Sequence, residues 1–487
     1  MHDTLTFGLL VLCTAGAGLL AVQSHAVSQR IRVPAPALFL LAAACAVQFV
    51  PGLQQPSART VERVVTVALV VILFEGGMGI GARRMRSAAG AILGLGVLGT
   101  FATVAGASVL AHAVLGIDWY LAVLLATAIS PTDPAVVFSV LGQQEVEGRS
   151  GTVLEGESGA NDPVGIALMA ALLGAGSLSA GTLWQVAGTF TLQMVVGAVV
   201  GVVGGRLLLV VMRRVPVPGE ALYAVRTLVG SGVLFGAATL AHGSGFLAVF
   251  LAGVVIGDER APFKREIERF HAALASLAEI VAFAYLGFTV DLEVLARQEV
   301  WLPGLVIGVL LAVLVRPVVA LPLLLPVRLT RGERAFVLFA GLKGAVPLLL
   351  GSLLLPLPGG DRLYGVVVVV VLVSVLLQGS LVPTVARLLH VRMRPVAPQP
   401  FASGMRLHTE PAGERRLTVE TGSAADGRQI DELPGLAEGT WVSMVRRDGA
   451  LVPVRGGTRL LAGDEVLLLV DPEQDAREVT ALFRASA

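Results

Sequence analysis

Apolar residues run in blocks of about twenty along most of the chain, separated by short stretches that hold much of the charge. A helix of that length crosses the hydrocarbon core of a bilayer, so each block predicts one membrane span. The blocks lie near 5–22, 35–51, 61–80, 90–113, 118–141, 152–175, 184–211, 221–241, 244–257, 274–290, 300–326, 334–355 and 362–389, roughly thirteen spans. The pattern changes after Pro400, where charge becomes dense. Strand-like stretches at Trp441–Val445, Leu451–Val454 and Val466–Val470 alternate there with the turn pairs Asp448-Gly449, Gly456-Gly457 and Gly463-Asp464. The expected fold class is therefore an all-α polytopic membrane domain over 1–390, a linker over 391–410, and a small α+β domain over 411–487.

Composition agrees with the pattern. The 487 residues are 55% hydrophobic and 15% charged, and the mean hydropathy is +0.80, far from an ordinary soluble protein. The net charge of +1 gives no reason to expect nucleic acid as a partner. Cys13 and Cys45 sit inside apolar runs, where cysteine packs as a small hydrophobe. The first run follows Met1-His2-Asp3-Thr4, which lacks a basic leader, and is expected to stay as a span.

Positive charge orients the spans, because basic loops remain cytoplasmic. Alternate loops carry 15 basic residues, from Arg30 and Arg32 through Arg83, Arg84, Arg86 and Arg149 to Arg334; the intervening loops carry 4, namely Arg59, Arg63, Arg297 and Arg362. This places the N-terminus outside, in the periplasm, and the tail in the cytoplasm, with the protein multi-pass in the inner membrane. Trp119, Trp184 and Trp301 then mark outer span ends as interfacial anchors. His112, His242 and His271 also fall near span ends, without metal-ligand spacing, and are expected to be interfacial.

Ionisable residues within spans are costly and mark ion or proton paths. Mid-span candidates are Asp133, Glu155, Glu157, Asp162, Arg316 and Lys343, with Glu75 and Glu279 less central. The fifth run is broken by Ser130-Pro131-Thr132-Asp133-Pro134 and the twelfth by Gly341-Leu342-Lys343-Gly344-Ala345-Val346-Pro347. Broken helices at membrane depth must line a cavity or be buried in protein. If the seventh span joins two six-span halves, the two breaks occupy equivalent positions of inverted repeats.

The sixth run carries Glu155-Gly156-Glu157-Ser158-Gly159-Ala160-Asn161-Asp162-Pro163. On a helix Ser158 and Asp162 share one face, and Glu157 and Asn161 a neighbouring one. Carboxylate, hydroxyl and amide oxygen suit a hard monovalent cation. Asp162 also binds a proton, and one carboxylate holding either species, exposed alternately to the two sides, suffices for antiport. Glu157 is expected to pair with a buried cation, either Lys343 or Arg316.

These segments resemble the NhaP-type branch of the sodium/proton exchanger family. The matching stretches are Leu73-Phe74-Glu75-Gly76-Gly77, Thr132-Asp133-Pro134, Glu157-Ser158-Gly159-Ala160-Asn161-Asp162 and Gly341-Leu342-Lys343-Gly344-Ala345-Val346. The resemblance implies a homodimer in which a core moves against a dimerisation domain, with spans five and twelve unwound and crossed. It implies an ion site of Asp162, Ser158, Thr132 and Asp133, supported by Asn161, with Glu157 in an ion pair. Lys343 departs from the arginine usual in the family, which keeps Arg316 in competition for Glu157. The tail is similar to the TrkA-C (RCK-C) modules that regulate potassium channels and transporters. By that association potassium is the favoured cation and sodium the alternative, and nucleotides are the ligands implied for the tail. No cofactor is expected.

Two other classes fit less well. A channel needs a selectivity filter, and the nearest fragment, Leu363-Tyr364-Gly365-Val366, lies at a span edge. An intramembrane aspartyl protease would pair Asp133 with Asp162 but leave Ser158 and Asn161 without a role.

Overall fold

The computed structural model describes residues 12, 16, 18–24, 33–49, 56–141, 144–146, 148–259, 261–395, 414–433, 440–447, 450–470 and 476–484. The chain divides into two compact units, Met1–Val396 and Ala397–Ala487. The predicted first span and Cys13 fall for the most part outside the described residues, as does the Asp448-Gly449 turn.

Among the described residues of the first unit, eight helices are long and apolar enough to cross a membrane: Ala58–Ser87, Ala89–Leu115, Trp119–Leu141, Ala180–Arg214, Glu220–Leu240, Lys264–Gly287, Gln298–Leu324 and Gly360–Leu388. Ala35–Phe49 and Gly245–Gly257 are shorter apolar helices. Arg149–Ala175, also helical, carries the charged motif. Local chemistry fixes the ends. Asp118 caps the helix beginning at Trp119, and Ser179 and Thr330 open reciprocal capping boxes before Ala180 and Arg331.

The short helix Gly245–Gly257 is buried between its neighbours rather than shortened at a surface. A side chain at Gly253 would collide with the backbone of Phe74, and one at Gly77 with that of Phe250. Small residues thus allow backbone-to-backbone packing, the usual way to join helices where lipid removes the hydrophobic driving force.

Both predicted breaks are present. The fifth span splits into Trp119–Ile129 and Pro134–Leu141, and the twelfth region into Arg331–Phe339 and Ala345–Ser352. Three further segments, Gly94–Gly99, Leu311–Val315 and Val373–Gln378, widen to π-helical geometry within otherwise continuous helices, a distortion that recurs at functional sites. A small antiparallel pair, Gln144–Val146 with Met393–Pro395, ties the end of the membrane unit to the loop before Arg149.

Two sequence expectations change. His271 is fully buried in Lys264–Gly287, its ring 5.2 Å from that of Phe74, with Nδ1 2.9 Å from the Ile267 carbonyl; it is a packed core residue rather than an interfacial one. Cys45 lies on the exposed side of Ala35–Phe49 instead of in the packed interior.

The second unit is a four-stranded antiparallel sheet in the order Glu414–Thr418, Glu465–Val470, Thr440–Arg447, Ala450–Val452. Val419, Leu433, Val445, Leu460, Val466, Leu468 and Phe483 form its core. Asp464 accepts two hydrogen bonds from Arg447, at 2.8 and 2.9 Å, and one from the Leu461 N–H at 2.9 Å.

Candidate functional site

The two breaks meet. The Asp133 N–H donates to the Leu342 carbonyl at 2.8 Å, and Lys343 Nζ donates to the carbonyls of Ser130 and Pro131 at 2.9 and 3.1 Å. Four half-helix ends therefore converge, each with backbone groups that have no partner within their own helix. The Asp133 carboxylate accepts backbone N–H groups from Ala135 and Val136, which start its own half-helix, and from Ala345, which starts the other. At the opposite pole Lys343 satisfies carbonyls where Trp119–Ile129 ends. Gln378 Nε2 donates to the Phe339 carbonyl, while Ser374 Oγ accepts the Lys343 N–H at 3.0 Å. The approach is close enough that any side chain at Gly344 would collide with the Asp133 carboxylate.

Helix Arg149–Ala175 runs against this crossing with Glu157, Ser158, Asn161 and Asp162 all buried. Asn161 pins the first break from both sides of its amide: Nδ2 donates to Thr132 Oγ1 at 2.7 Å, and Oδ1 accepts the Thr132 N–H at 3.4 Å. Ser158 hydrogen-bonds the Asp162 carboxylate, as their shared face predicts. Pro163 lacks an N–H, so the Gly159 carbonyl loses its helical partner next to Asp162.

Of the two cations competing for Glu157, Arg316 takes it. Its Nη1 and Nη2 engage both carboxylate oxygens, the latter at 2.8 Å, and Nη2 also reaches the Val337 carbonyl at 3.3 Å. Lys343 belongs to the crossing instead, where a compact ammonium serves two carbonyls.

Asp162, Ser158 and Asp133 line a cavity of about 880 Å³, shared with Glu75, Glu155 and Glu279 and reaching Arg84 and Gly148. Thr132, expected beside them in the ion site, is not among the residues that line this cavity. Ser130 and Thr132 instead face a separate chamber of about 20 Å³, bounded by Arg316, Lys343, Ser374 and Gln378. Ser374 and Gln378 were not singled out in the sequence; their signal is a polar pair at i,i+4 inside the otherwise apolar stretch 365–379.

A membrane-spanning bundle with two crossed broken helices and a buried Ser-Asp pair at their meeting point defines a secondary-transporter architecture. The chain belongs to the sodium/hydrogen exchanger family, whose transmembrane profile matches residues 17–388, and a TrkA-C domain matches 415–484. It is 32% identical over 380 residues to the K(+)/H(+) antiporter NhaP of Alkalimonas amylolytica, covering 77% of this chain and 66% of that protein. It is 30% identical over 473 residues to the K(+)/H(+) antiporter NhaP2 of Shewanella sp. (strain MR-4), covering 94% and 80%. The fold also matches the sodium proton antiporter MjNhaP1 from Methanocaldococcus jannaschii, with a TM-score of 0.65 at 21% identity over 78% of this chain and all of that one.

Proposed function

We propose that this chain is a secondary antiporter, not an enzyme, that exchanges a monovalent cation for a proton by alternating access, with both competing for Asp162. The observation that carries the reading is Asp162 itself: a buried carboxyl, held by Ser158, that lines a large cavity together with residues of the helix crossing. Asp133 lines the same cavity and Asn161 holds the break in place. The Glu157–Arg316 pair fixes the helix that presents Asp162.

Potassium is the favoured cation, since the two relatives named above are K(+)/H(+) antiporters and one of them aligns over the tail as well. Sodium is the second reading, supported by membership of the sodium/hydrogen exchanger family. The basic loops support a cytoplasmic tail on an inner-membrane protein; with Arg84 and Gly148 lining the cavity, it then opens to the cytoplasm. The protein acts as a homodimer. The TrkA-C domain sets the activity of the exchanger in response to a ligand, with nucleotides the first class to test.

Purified protein in vesicles carrying a pH-sensitive dye tests the core reading. Adding potassium or sodium should drive proton flux, and Asp162→Asn should abolish it while the protein still folds. Flux that persists in the variant would remove Asp162 from the mechanism, and conductance without proton movement would indicate a channel.

A further inference from the structure

We propose that Glu279 is a second cation-binding carboxyl, which takes up the monovalent ion in the cavity before it reaches Asp162; this rests on the antiport reading above. Glu279 lies on helix Lys264–Gly287, which packs against Ala35–Phe49 and Ala58–Ser87 and is not one of the broken helices. One face of it lines the cavity through Ala272, Ala275, Ser276, Glu279 and Phe283. Three small residues therefore precede Glu279 along that face and a phenyl ring follows, so the carboxyl can be approached over the small residues.

The other charged groups of the cavity wall are Glu75, Asp133, Glu155, Asp162 and Arg84. Asp133 is held by three backbone N–H groups and Asp162 by Ser158. Glu279 differs. Its Oε1 is closed off from solvent and, among the described residues, has no hydrogen-bond partner. With Oε1 unpartnered, an ionised Glu279 has to be compensated at Oε2, the cavity it lines being the route for a partner, and an uncompensated carboxylate is strongly disfavoured in a buried site. A proton can meet that need, and so can the transported ion.

Loading is then a local exchange. The cation approaches Oε2, the O–H bond of the neutral carboxyl breaks, the proton passes to cavity water, and a carboxylate–cation contact forms with no change in net charge. Passing the cation on to Asp162 returns Glu279 to its proton. Both steps occur on the same side of the membrane, so Glu279 raises the local cation concentration without altering the ratio of ions exchanged.

Glu279→Gln tests this in vesicles, with initial proton flux measured against potassium and sodium concentration. The expected result is an apparent KM raised about fivefold or more, with the rate at saturating cation close to wild type, the signature of lost ground-state binding. Glu279→Asp should restore much of the affinity. An unchanged KM in Glu279→Gln overturns the proposal. So does loss of all exchange in a variant that melts like wild type, which would make Glu279 part of the transport step itself. A wild-type protein without cation-driven proton flux would instead overturn the antiport reading. Rubidium binding to detergent-solubilised Asp162→Asn protein decides the site separately: a residual site should remain and disappear in the double variant with Glu279→Gln, and no residual site counts against it.

Discussion

Arg316 sets both branches of its guanidinium against the carboxylate of Glu157, 159 positions away in sequence, with Nη2 at 2.8 Å from Oε2. The contact joins helix Arg149–Ala175 to the segment that follows the π-helical turn Leu311–Val315. Because both groups are largely buried, removing one leaves the other charge unpaired, at a cost on the order of 3–5 kcal/mol. Glu157→Gln and Arg316→Met should each lower the melting temperature in detergent. Their effects should be strongly non-additive in the double variant, whereas Lys343→Met combined with Glu157→Gln should come closer to additive. Coupling of equal size for both pairs would contradict the geometry.

The division of the site into a cavity and a separate chamber gives Ser158 and Thr132 different roles. Ser158→Ala removes a hydroxyl that faces the ion cavity and bonds Asp162, so the apparent KM for cation should rise. Thr132→Val removes a hydroxyl already committed to Asn161, on the far side of the break. It should cost stability of about 1–3 kcal/mol, the range for leaving a buried polar partner unsatisfied, and leave KM nearly unchanged. Flux titrations and thermal unfolding on the two variants check this. A KM effect of Thr132→Val as large as that of Ser158→Ala would return Thr132 to the ion shell.

Much of this site is legible in the sequence because membrane burial makes charge and proline conspicuous. Two proline-flanked breaks, each with an ionisable residue, indicate where helices must come apart. The i,i+4 rule alone pairs Ser158 with Asp162. The partner of Glu157 was not legible, since Lys343 and Arg316 are equally deep by hydropathy; only the crossing shows that carbonyls at Ser130 and Pro131 occupy the lysine. The side on which Thr132 lies was hidden for a similar reason, because a break has no helical periodicity to read. His271 looked interfacial from its distance to the span end, yet it turns inward against Phe74.

In the TrkA-C domain, pH should act through Asp464. Burial alone raises its carboxyl, but the hydrogen bonds from Arg447 and the Leu461 N–H outweigh that and hold it below the usual carboxylate range. A depressed folded-state value means the ionised form stabilises the fold above the unfolded value, about 3.9 for aspartate, and the contribution is lost as pH falls through the folded value. Hydrogen exchange on strand Thr440–Arg447 in the full-length protein should therefore be steady from neutral pH down to the ordinary carboxylate range, after correction for intrinsic rates, and accelerate below it. Asp464→Asn should remove that acid-induced step. A step that survives the substitution would belong to another group.

The last expectation concerns charge movement. Asp133 and Asp162 line the same cavity, and a pair of freely titrating carboxyls could trade two protons for one cation. Asp133, however, is tied to the N–H groups of Ala135, Val136 and Ala345, so a proton on it would disrupt bonds that hold both half-helices at the crossing. The neighbour of Asp162 in sequence is Asn161, whose amide does not titrate and is committed to Thr132. Lys343 is committed to two carbonyls and Arg316 to Glu157. Asp162 is thus left as the group that carries either one proton or one cation across the membrane, the exchange proposed at Glu279 beginning and ending on one side, and transport should be electroneutral. Initial flux in vesicles clamped at opposite membrane potentials should agree within experimental scatter, and the pH profile should be bell-shaped with an acidic limb that moves lower as cation concentration rises. Flux that accelerates steeply with potential would mean that a second group also carries protons across the membrane. If Asp133→Asn then removed the voltage dependence while exchange continued, that group would be Asp133, and the capping bonds at the crossing would have to open during transport.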